Sequence, residues 1–320
     1  MRLLFILFLI ISSSFSYSAD ISENEPLEVI TFNVGYARAR IFNLVPCIRQ
    51  RVKLLRKVID DKLSREKGAK VFLFQEFFSR RAFKKLINVA NKHSYDYYPK
   101  EFKDLKKNGT LILTNLETVK HEWVPFEAKK YPGINRGIRL IYTKTLEGRK
   151  ILIGNTHTAY SGRKKTDKTH LAHLDQIADT VRDKTSDQYN MIFGGDLNVG
   201  STSSFKRQKY DPIEEIWIPF YQKILDNNMK FLEYESPSWD ETKNPFVFRP
   251  SLFARWFATD NGKWDDNTSD IDHLFVSNSL KTENTSVIFD ELIESEKSCR
   301  SLKKYFLSDH FAIKTEVWFD

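Results

Sequence analysis

The sequence has 320 residues, of which 41% are hydrophobic and 29% charged, a composition that excludes a disordered or collagen-like chain. Its length and the lack of a linker-like stretch predict a single domain over residues 20–320. The formal net charge of +8 fits a polyanionic partner or an anionic surface, although many proteins without such a partner are as basic.

The first 19 residues have the pattern of a secretory signal peptide. Arg2 precedes the apolar run 3–11, small and polar residues follow through Ala19, and the first acidic residue is Asp20. The apolar run is shorter than the roughly 20 residues that a membrane span needs. We therefore expect cleavage after residues 1–19 and a secreted or periplasmic mature protein, with a retained signal anchor as the alternative.

The chain has two cysteines, Cys47 and Cys299. Disulfides persist in exported proteins, so the two residues form either one bridge or two free thiols, and we favour the bridge. The sequence has no CxxC pair, zinc-ligand cluster or GxxxxGK[ST] loop, which argues against structural zinc and P-loop chemistry.

Hydrophobic patterning predicts strands and helices in a mixed order. Amphipathic helices are predicted at 48–63, 81–91 and 171–181, and strands at 28–33, 71–74, 111–113, 137–142, 151–153, 191–193, 273–276 and 311–317. The Trp-, Pro- and Asn-rich region 233–268 has little periodicity, and we expect it to be a long surface excursion.

Polar side chains recur where the predicted strands begin or end. They are Asn33, Glu76, His157, Asp196, Asn198, Asp272, Asp309 and His310. One such residue is usually a turn or cap residue. Strand ends meet at one edge of a sheet, so a whole set of carboxylates, amides and imidazoles at these positions predicts a shared cleft.

The residue types in this set suit phosphate chemistry. Glu76 and Asn33 offer hard oxygen ligands, which favour Mg²⁺, Mn²⁺ or Ca²⁺ over zinc. A divalent ion there would screen a phosphate and stabilise a leaving oxygen. His157 and Asn198 could donate hydrogen bonds to the charge that develops in the transition state.

The candidate general base is His310. It has Asp309 beside it and Asp272 across the fold, and a carboxylate-supported imidazole can activate water. His273 is the rival, but it follows Asp272 directly and therefore points to the other side of the strand. Together these residues predict metal-assisted hydrolysis of a phosphate ester.

Six segments carry a family resemblance: FNVGYAR, FQEFFSRRA, NTHTAY, GGDLNVG, DIDHLFVSN and LSDHFAI, in this order. From about Val29 to Val317 the sequence resembles the endonuclease/exonuclease/phosphatase superfamily. The resemblance implies an α+β fold, a four-layer α/β sandwich of two stacked mixed β-sheets flanked by helices (deoxyribonuclease I-like). It also implies Mg²⁺ as cofactor, with Mn²⁺ or Ca²⁺ as alternatives, and one catalytic domain over residues 20–320.

Three stretches resemble the neutral sphingomyelinase branch of that superfamily. They are QEFFSRRA at 75–82, NTHT at 155–158, and SPSWD at 236–240 followed by Asn244. The resemblance implies the following roles: Glu76 and Asn33 hold the metal, His157 stabilises the transition state, Asp196 and Asn198 handle phosphate and nucleophile, and Asp272 orients the base His310.

Other features leave the substrate open. The stretch 294–306 is polar and basic where secreted bacterial sphingomyelinases carry an apolar aromatic hairpin, and the segment beginning at Asn33 also resembles nuclease relatives. We favour a secreted monomeric sphingomyelinase-like phosphodiesterase that acts at a phospholipid membrane surface. The alternative is a secreted nuclease, in which the basic residues of 163–168 would follow a nucleic acid backbone. A non-catalytic toxin subunit or adhesin is the third class.

Overall fold

The computed structural model describes residues 25–36, 38–39, 42–43, 46–129, 134–160, 164–185, 189–201, 211, 213–240, 243–244, 268–299 and 302–319. The predicted signal peptide lies outside these ranges. Within them, no helix is both long enough and apolar enough to cross a membrane.

The strands, numbered in chain order, are β1 (Leu27–Asn33), β2 (Arg38–Ala39), β3 (Phe42–Asn43), β4 (Lys70–Gln75), β5 (Asp96–Tyr98), β6 (Leu111–Thr114), β7 (Lys120–Pro125), β8 (Gly137–Lys144), β9 (Lys150–His157), β10 (Asn190–Asp196), β11 (Met229–Phe231), β12 (Trp239–Asp240), β13 (Thr268–Ser269), β14 (Asp272–Ser277), β15 (Lys281–Ile288), β16 (Ile293–Cys299), β17 (Leu302–Tyr305) and β18 (Ala312–Trp318). The α-helices are α1 (Ile48–Arg65), α2 (Arg80–Lys92), α3 (Phe102–Asn108), α4 (Lys164–Thr185) and α5 (Ile218–Asp226), with a π-helical turn at Ile213–Trp217.

Two six-stranded mixed sheets stack face to face. Their strand orders are β15-β18-β1-β4-β6-β5 and β11-β14-β10-β9-β8-β7. Buried apolar side chains such as Val29, Leu73, Ile153 and Ile192 fill the space between them. Helices α1 and α2 cover the outer face of the first sheet, and α4 and α5 cover that of the second. The predicted four-layer sandwich is confirmed.

Strand register brings the polar strand ends together at one edge. Strands β1 and β4 run parallel and end side by side at Asn33 and Gln75. In the second sheet, β9 and β10 run parallel and pair His157 with Asp196. Strand β14 runs antiparallel to β10, so that its first residue, Asp272, lies opposite Asp196.

The predicted surface excursion at 233–268 is partly anchored in its first part, where Glu233, Glu235 and Ser236 are exposed but two residues are not. Ser238 and Asn244 are fully buried. The Ser238 hydroxyl accepts hydrogen bonds from two backbone N–H groups at the start of β14, and the Asn244 amide donates to the carbonyl of Ser308. This part of the chain has little periodicity because side-chain-to-backbone hydrogen bonds, rather than a strand or helix face, hold it against the core. Residues 245–267 lie outside the described residues.

The arrangement around Cys47 is compatible with the predicted disulfide. Cys47 directly precedes α1, which packs against β16, and β16 ends at Cys299. No cysteine in the described part of the chain is a free thiol. The Cys299 side chain itself lies outside that part, so the Cys47–Cys299 bridge stays a prediction.

Candidate active site

A buried imidazole–carboxylate pair lies at the edge where the strands end. His310 precedes β18, and its Nδ1 lies 2.7 Å from Oδ2 of Asp272, the first residue of β14. The Asp272 backbone is fixed on both sides, because its N–H donates to the Ser238 hydroxyl and its carbonyl accepts from Tyr234 Oη at 2.6 Å. These two hydrogen bonds fix the backbone position of Asp272.

Asp196, the last residue of β10, lies beside this pair. Its Oδ2 accepts a hydrogen bond from Asn33 Nδ2 at 2.8 Å and lies 3.3 Å from His157 Nε2. Its Oδ1 accepts from the backbone N–H of Asn198, a residue in the left-handed conformation with φ 54°. The Asn198 amide in turn donates to the carbonyl of Thr158, so that β10 and the segment after β9 are tied together.

Asn33 connects Asp196 to the imidazole. The same Nδ2 that donates to Asp196 lies 3.4 Å from Nε2 of His310. Five of the sequence-predicted residues thus form one contact network, which runs from Asp272 through His310, Asn33 and Asp196 to His157.

Electrostatics distinguish the roles that these groups can play. Burial lowers the pKa of His310, but the charge and hydrogen bond of Asp272 outweigh it, and the net effect raises the pKa to about 10. Burial and then the charge of Asp272 raise the pKa of Asp196 to about 7. Burial and then the charge of Arg136 lower the pKa of His157 well below its ordinary value, so this imidazole is neutral at pH 7.

Glu76 is the carboxylate at the mouth of the network. It follows β4 in the left-handed conformation, with φ 54°, and its Oε1 lies 3.9 Å from Nε2 of His157. Its side chain is 20% exposed, whereas the side chains of Asp196 and Asp272 are 2% and 0% exposed. An incoming solute can therefore reach Glu76 more readily than the other two carboxylates.

The donor set fits a divalent cation. Glu76, Asp196 and Asp272 crowd one region, and the negative charges of Glu76 and Asp272 both contribute to the raised pKa of Asp196. A cation would relieve that repulsion, and carboxylate and amide oxygens are the ligands that Mg²⁺ accepts. Asp196, Asp272 and His310 offer donor atoms within 4.8 Å of one another. The Asp272 and His310 atoms that face each other are already hydrogen-bonded. Asn33 Oδ1 also accepts a hydrogen bond, from the backbone N–H of Gly35 at 3.0 Å. The assignment of the metal to Glu76 and Asn33 therefore stays a prediction.

Asp309 lies apart from the network. Its Oδ1 accepts a hydrogen bond from the Ser308 hydroxyl and packs against Gly35, where a Cβ atom would come within 2.2 Å of that oxygen. Gly35 also has φ 58°, so glycine is required there on both grounds. Asp309 thus shapes the turn that carries His310, and no contact joins it to Asp272 or Asp196 in the described structure.

His273 lies outside the network. Its Nε2 is 2.8 Å from the carbonyl oxygen of Val199, and its ring stacks on Trp217 with 4.5 Å between centroids. The alternation of side chains along β14 places it on the opposite side from Asp272. The structure therefore does not bring this rival base to the site.

A buried amide pair supports the floor of the site. Gln75 Nε2 donates to Asn155 Oδ1 at 2.8 Å, and Asn155 Nδ2 donates to the carbonyls of Phe74 and Leu111. The pair connects β4 to β9 across the two sheets, next to Glu76 and His157. Sequence reasoning assigned no role to these two residues, although an amide within a buried apolar strand is itself a signal of an internal hydrogen bond.

A second support comes from Arg51 of α1, which is fully buried. Its guanidinium donates to the carbonyls of Leu307, Gly35 and Val34, and it lies over the ring of Tyr36. It therefore connects the segment after β1 to the segment that leads to His310. The sequence shows a cation at a core position of an amphipathic helix, but it does not predict to which carbonyl groups that cation donates.

The chain is similar in sequence to one protein family and in fold to several solved structures. A sequence model of the endonuclease/exonuclease/phosphatase family matches residues 30–310. No curated protein matches the sequence. Sphingomyelinase C from Streptomyces griseocarneus is 17% identical with a TM-score of 0.63, and the match covers 91% of this chain and 99% of that one.

Two structures of TDP2 show the same likeness. Truncated TDP2 from Caenorhabditis elegans is 18% identical with a TM-score of 0.58, over 92% of this chain and 98% of that one. TDP2 from D. rerio in complex with a single-strand DNA product is 13% identical with a TM-score of 0.59, over 91% of this chain and 98% of that one. At these identities the likeness establishes the fold.

Proposed function

The chain belongs to the endonuclease/exonuclease/phosphatase family, and from that membership we propose that it is an exported, divalent-metal-dependent phosphodiesterase of the sphingomyelinase C type. It would cleave the headgroup phosphodiester of a phospholipid with water activated at His310. The observation that carries the proposal is the contact network from Asp272 to His157, with Glu76 at its mouth. Export rests on the sequence pattern of residues 1–19.

Glu76 and Asn33 would hold the metal. When bound there, a divalent ion would neutralise phosphate charge and stabilise the leaving oxygen, and its positive charge would lower the pKa of His310 below the value of about 10 that it has without metal. Side chains of the protein would perform the remaining catalytic roles.

His310 would take the proton of the attacking water at Nε2. Its Nδ1 is occupied by Asp272, so the imidazole keeps one tautomer and Nε2 faces the Asn33 side of the cleft. Asp272 then stabilises the imidazolium that forms. This arrangement makes Asp272 an orienting group and leaves Asp196 to contact the phosphate or the nucleophile.

His157 and Asn198 would stabilise the transition state by hydrogen bonding. The neutral His157 has its Nε2 3.3 Å from Asp196 Oδ2, so a proton on Nε2 would be within reach of an oxyanion bound beside that carboxylate. Asn198 fixes the end of β10 through its backbone and its amide. These hydrogen bonds set Asn198 in place before substrate binds, which is what transition-state stabilisation requires.

A secreted nuclease is the second candidate. It is favoured by the fold similarity to a TDP2 that is bound to a single-strand DNA product, and by the net charge of +8. The basic residues of 163–168, which would follow the backbone of a nucleic acid, have side chains largely outside the described residues.

One experiment separates the two candidates. The mature protein with Mg²⁺ is incubated in parallel with sphingomyelin vesicles and with plasmid DNA, and headgroup release and strand cleavage are measured. A matched sample in excess chelator and a His310→Ala variant are the controls. Headgroup release that needs Mg²⁺ and His310, without DNA cleavage, supports the lipid proposal; the reverse pattern supports the nuclease.

A further inference from the structure

Among the described residues, one surface formed by α1 and α2 carries basic side chains and no acidic one. It consists of exposed or half-exposed residues on two packed helices, here called the basic face: Arg49, Lys53, Arg56 and Lys57 of α1, and Arg80, Arg81, Lys84 and Lys85 of α2. The sequence has no Asp or Glu from 48 to 59 or from 77 to 95. Mixed charge is what an inert surface normally presents, so this segregation calls for an explanation.

The cations of the basic face are crowded and unpaired. Burial and then three positive neighbours lower the pKa of Lys85; the neighbours are Arg81 on the same helix and Arg56 and Lys53 on α1. In the part of the chain that the structure describes, no carboxylate forms an ion pair with any member of the face.

The far halves of the same helices are different. There Asp60 contacts both Lys92 and His93, and Lys62 contacts Glu66. Ordinary ion pairing is thus present on α1 and α2, and within the described ranges it occurs in or next to their carboxyl-terminal halves. The basic face is a local feature and does not simply reflect the chain's overall charge.

Helix electrostatics make the basic face unfavourable for folding. Neither α1 nor α2 has an acidic residue in its first turn, and α2 begins with Arg80 and Arg81. The amino end of a helix carries partial positive charge, so anions stabilise it and cations destabilise it. A sequence that keeps cations there against this preference points to a use outside folding.

The basic face begins at the edge of the active site. Helix α2 starts at Arg80, shortly after Glu76, and the first turn of α1 reaches the segment after Asn33 through the hydrogen bond of Arg51 to Gly35. A partner bound on this face would therefore lie next to the mouth of the cleft.

The chemistry of the face fits an amphiphile. A small crevice between the helices is lined by apolar side chains, among them Val52, Phe77 and Leu86, and by the two cations Arg56 and Lys85. Phe83, the only aromatic residue on either helix, and Phe77, which lines the crevice, are both buried, so neither offers nucleic acid bases a surface for stacking.

We propose that the basic face is a docking surface for membranes that contain anionic phospholipid, and that it holds the cleft mouth against the lipid headgroups. The proposal rests on the lipid function proposed above, since docking would serve to present that substrate. Clusters of Lys and Arg on a helical surface bind anionic lipids by the charge of the leaflet, and the interaction weakens as salt rises.

The test measures binding without turnover. Mature protein in chelator is mixed with vesicles of phosphatidylcholine containing about 30% phosphatidylglycerol, and bound protein is determined by sedimentation at low and high salt. The test variant is Lys53→Glu with Arg81→Glu. The matched control is Lys67→Glu with Lys144→Glu, two exposed lysines at the opposite edge of the sheets.

The test variant should bind these vesicles at least about 25-fold more weakly, since each basic residue at such a surface contributes about fivefold. Its melting temperature should be equal to or higher than that of the unmodified protein, because the substitutions relieve like-charge crowding. Weaker vesicle binding at an unchanged or higher melting temperature excludes misfolding as the cause of the lost binding. The control variant should bind as the unmodified protein does.

Unchanged binding of the test variant, or equal loss in the control, would overturn the proposal. The proposal would also be overturned if the unmodified protein did not bind the vesicles, or if it bound plasmid DNA through the same residues. Hydrolysis of a soluble phosphodiester, measured in parallel with Mg²⁺, reports on the proposed chemistry separately: docking can fail while hydrolysis persists, and hydrolysis can fail while docking persists.

Discussion

Nδ1 of His310 and Oδ2 of Asp272 lie 2.7 Å apart although the residues are 38 positions apart in sequence. Asp272 begins β14 in one sheet, and His310 lies in the turn before β18 in the other. The contact therefore spans the two sheets and exists only when they are stacked. The geometry of the candidate site and the sandwich fold are coupled through this pair.

The first prediction concerns that coupling. Asp272→Asn removes the charge that outweighs burial, so the pKa of His310 should fall from its value of about 10. Turnover should fall by about 10²–10⁴-fold, because the imidazole loses its fixed tautomer. Titration of the His310 ring by NMR in the metal-free protein measures the first effect and kcat the second. An unchanged or raised pKa of His310 would contradict the role given to Asp272.

The second prediction concerns the metal. Glu76→Gln removes the most accessible carboxylate of the network, so Mg²⁺ affinity measured by calorimetry and turnover should both fall steeply. Circular dichroism should show an intact fold. Glu147→Gln, on an exposed turn remote from the site, is the matched control and should bind Mg²⁺ normally. Unimpaired Mg²⁺ binding by the Glu76 variant would remove this residue from the metal site.

The third prediction concerns acid stability. Burial lowers the folded-state pKa of both His157 and His273, so each takes up a proton on unfolding below about pH 6.5. Their contribution to the free energy of unfolding is therefore complete above that pH and is lost as the pH falls through the folded-state values.

Urea unfolding at pH 7.5 and pH 5 measures this loss. His273→Phe keeps a ring that can stack on Trp217 and removes the titrating group. The variant should lose less stability between the two pH values than the unmodified protein does. An equal loss in both proteins would show that His273 is not part of the acid response.

The fourth prediction concerns Cys47 and Cys299. The unreduced, denatured protein should have no titratable thiol, and reduction should lower the free energy of unfolding by about 5 kcal/mol in the loop-entropy model, less any strain in the native bridge. Two thiols found before reduction would rule out the pairing. A Cys47→Ser, Cys299→Ser variant provides the reference for a chain without a bridge.

The sequence predicted which polar residues lie together because strand-end residues are local features. Asn33, His157, Asp196 and Asp272 each lie next to a strongly apolar run, and sheet geometry then brings such ends together. The hydrogen bonds that fix them were not predictable in the same way. The contact of Ser238 with the start of β14 joins residues far apart in sequence. It depends on tertiary packing, and hydrophobic periodicity does not predict it.

Short or polar elements were missed for a related reason. Strands β7 and β15 are edge strands with many half-exposed polar residues, so their alternation is weak. Helix α3 has only seven residues, and its stability comes from Leu105 and its neighbours packing on the core. Such elements form because of their tertiary contacts more than because of their own sequence pattern.

The central claim is that this cleft hydrolyses phosphodiesters with His310 as the base, and a soluble substrate tests it without reference to lipid or nucleic acid. Turnover of bis(p-nitrophenyl) phosphate is measured with Mg²⁺ for the unmodified protein, His310→Ala and His273→Ala. The account predicts Mg²⁺-dependent turnover, a loss of at least about 10²-fold for His310→Ala, and near-normal turnover for His273→Ala. No turnover by the unmodified protein, or a greater loss for His273→Ala than for His310→Ala, would contradict it.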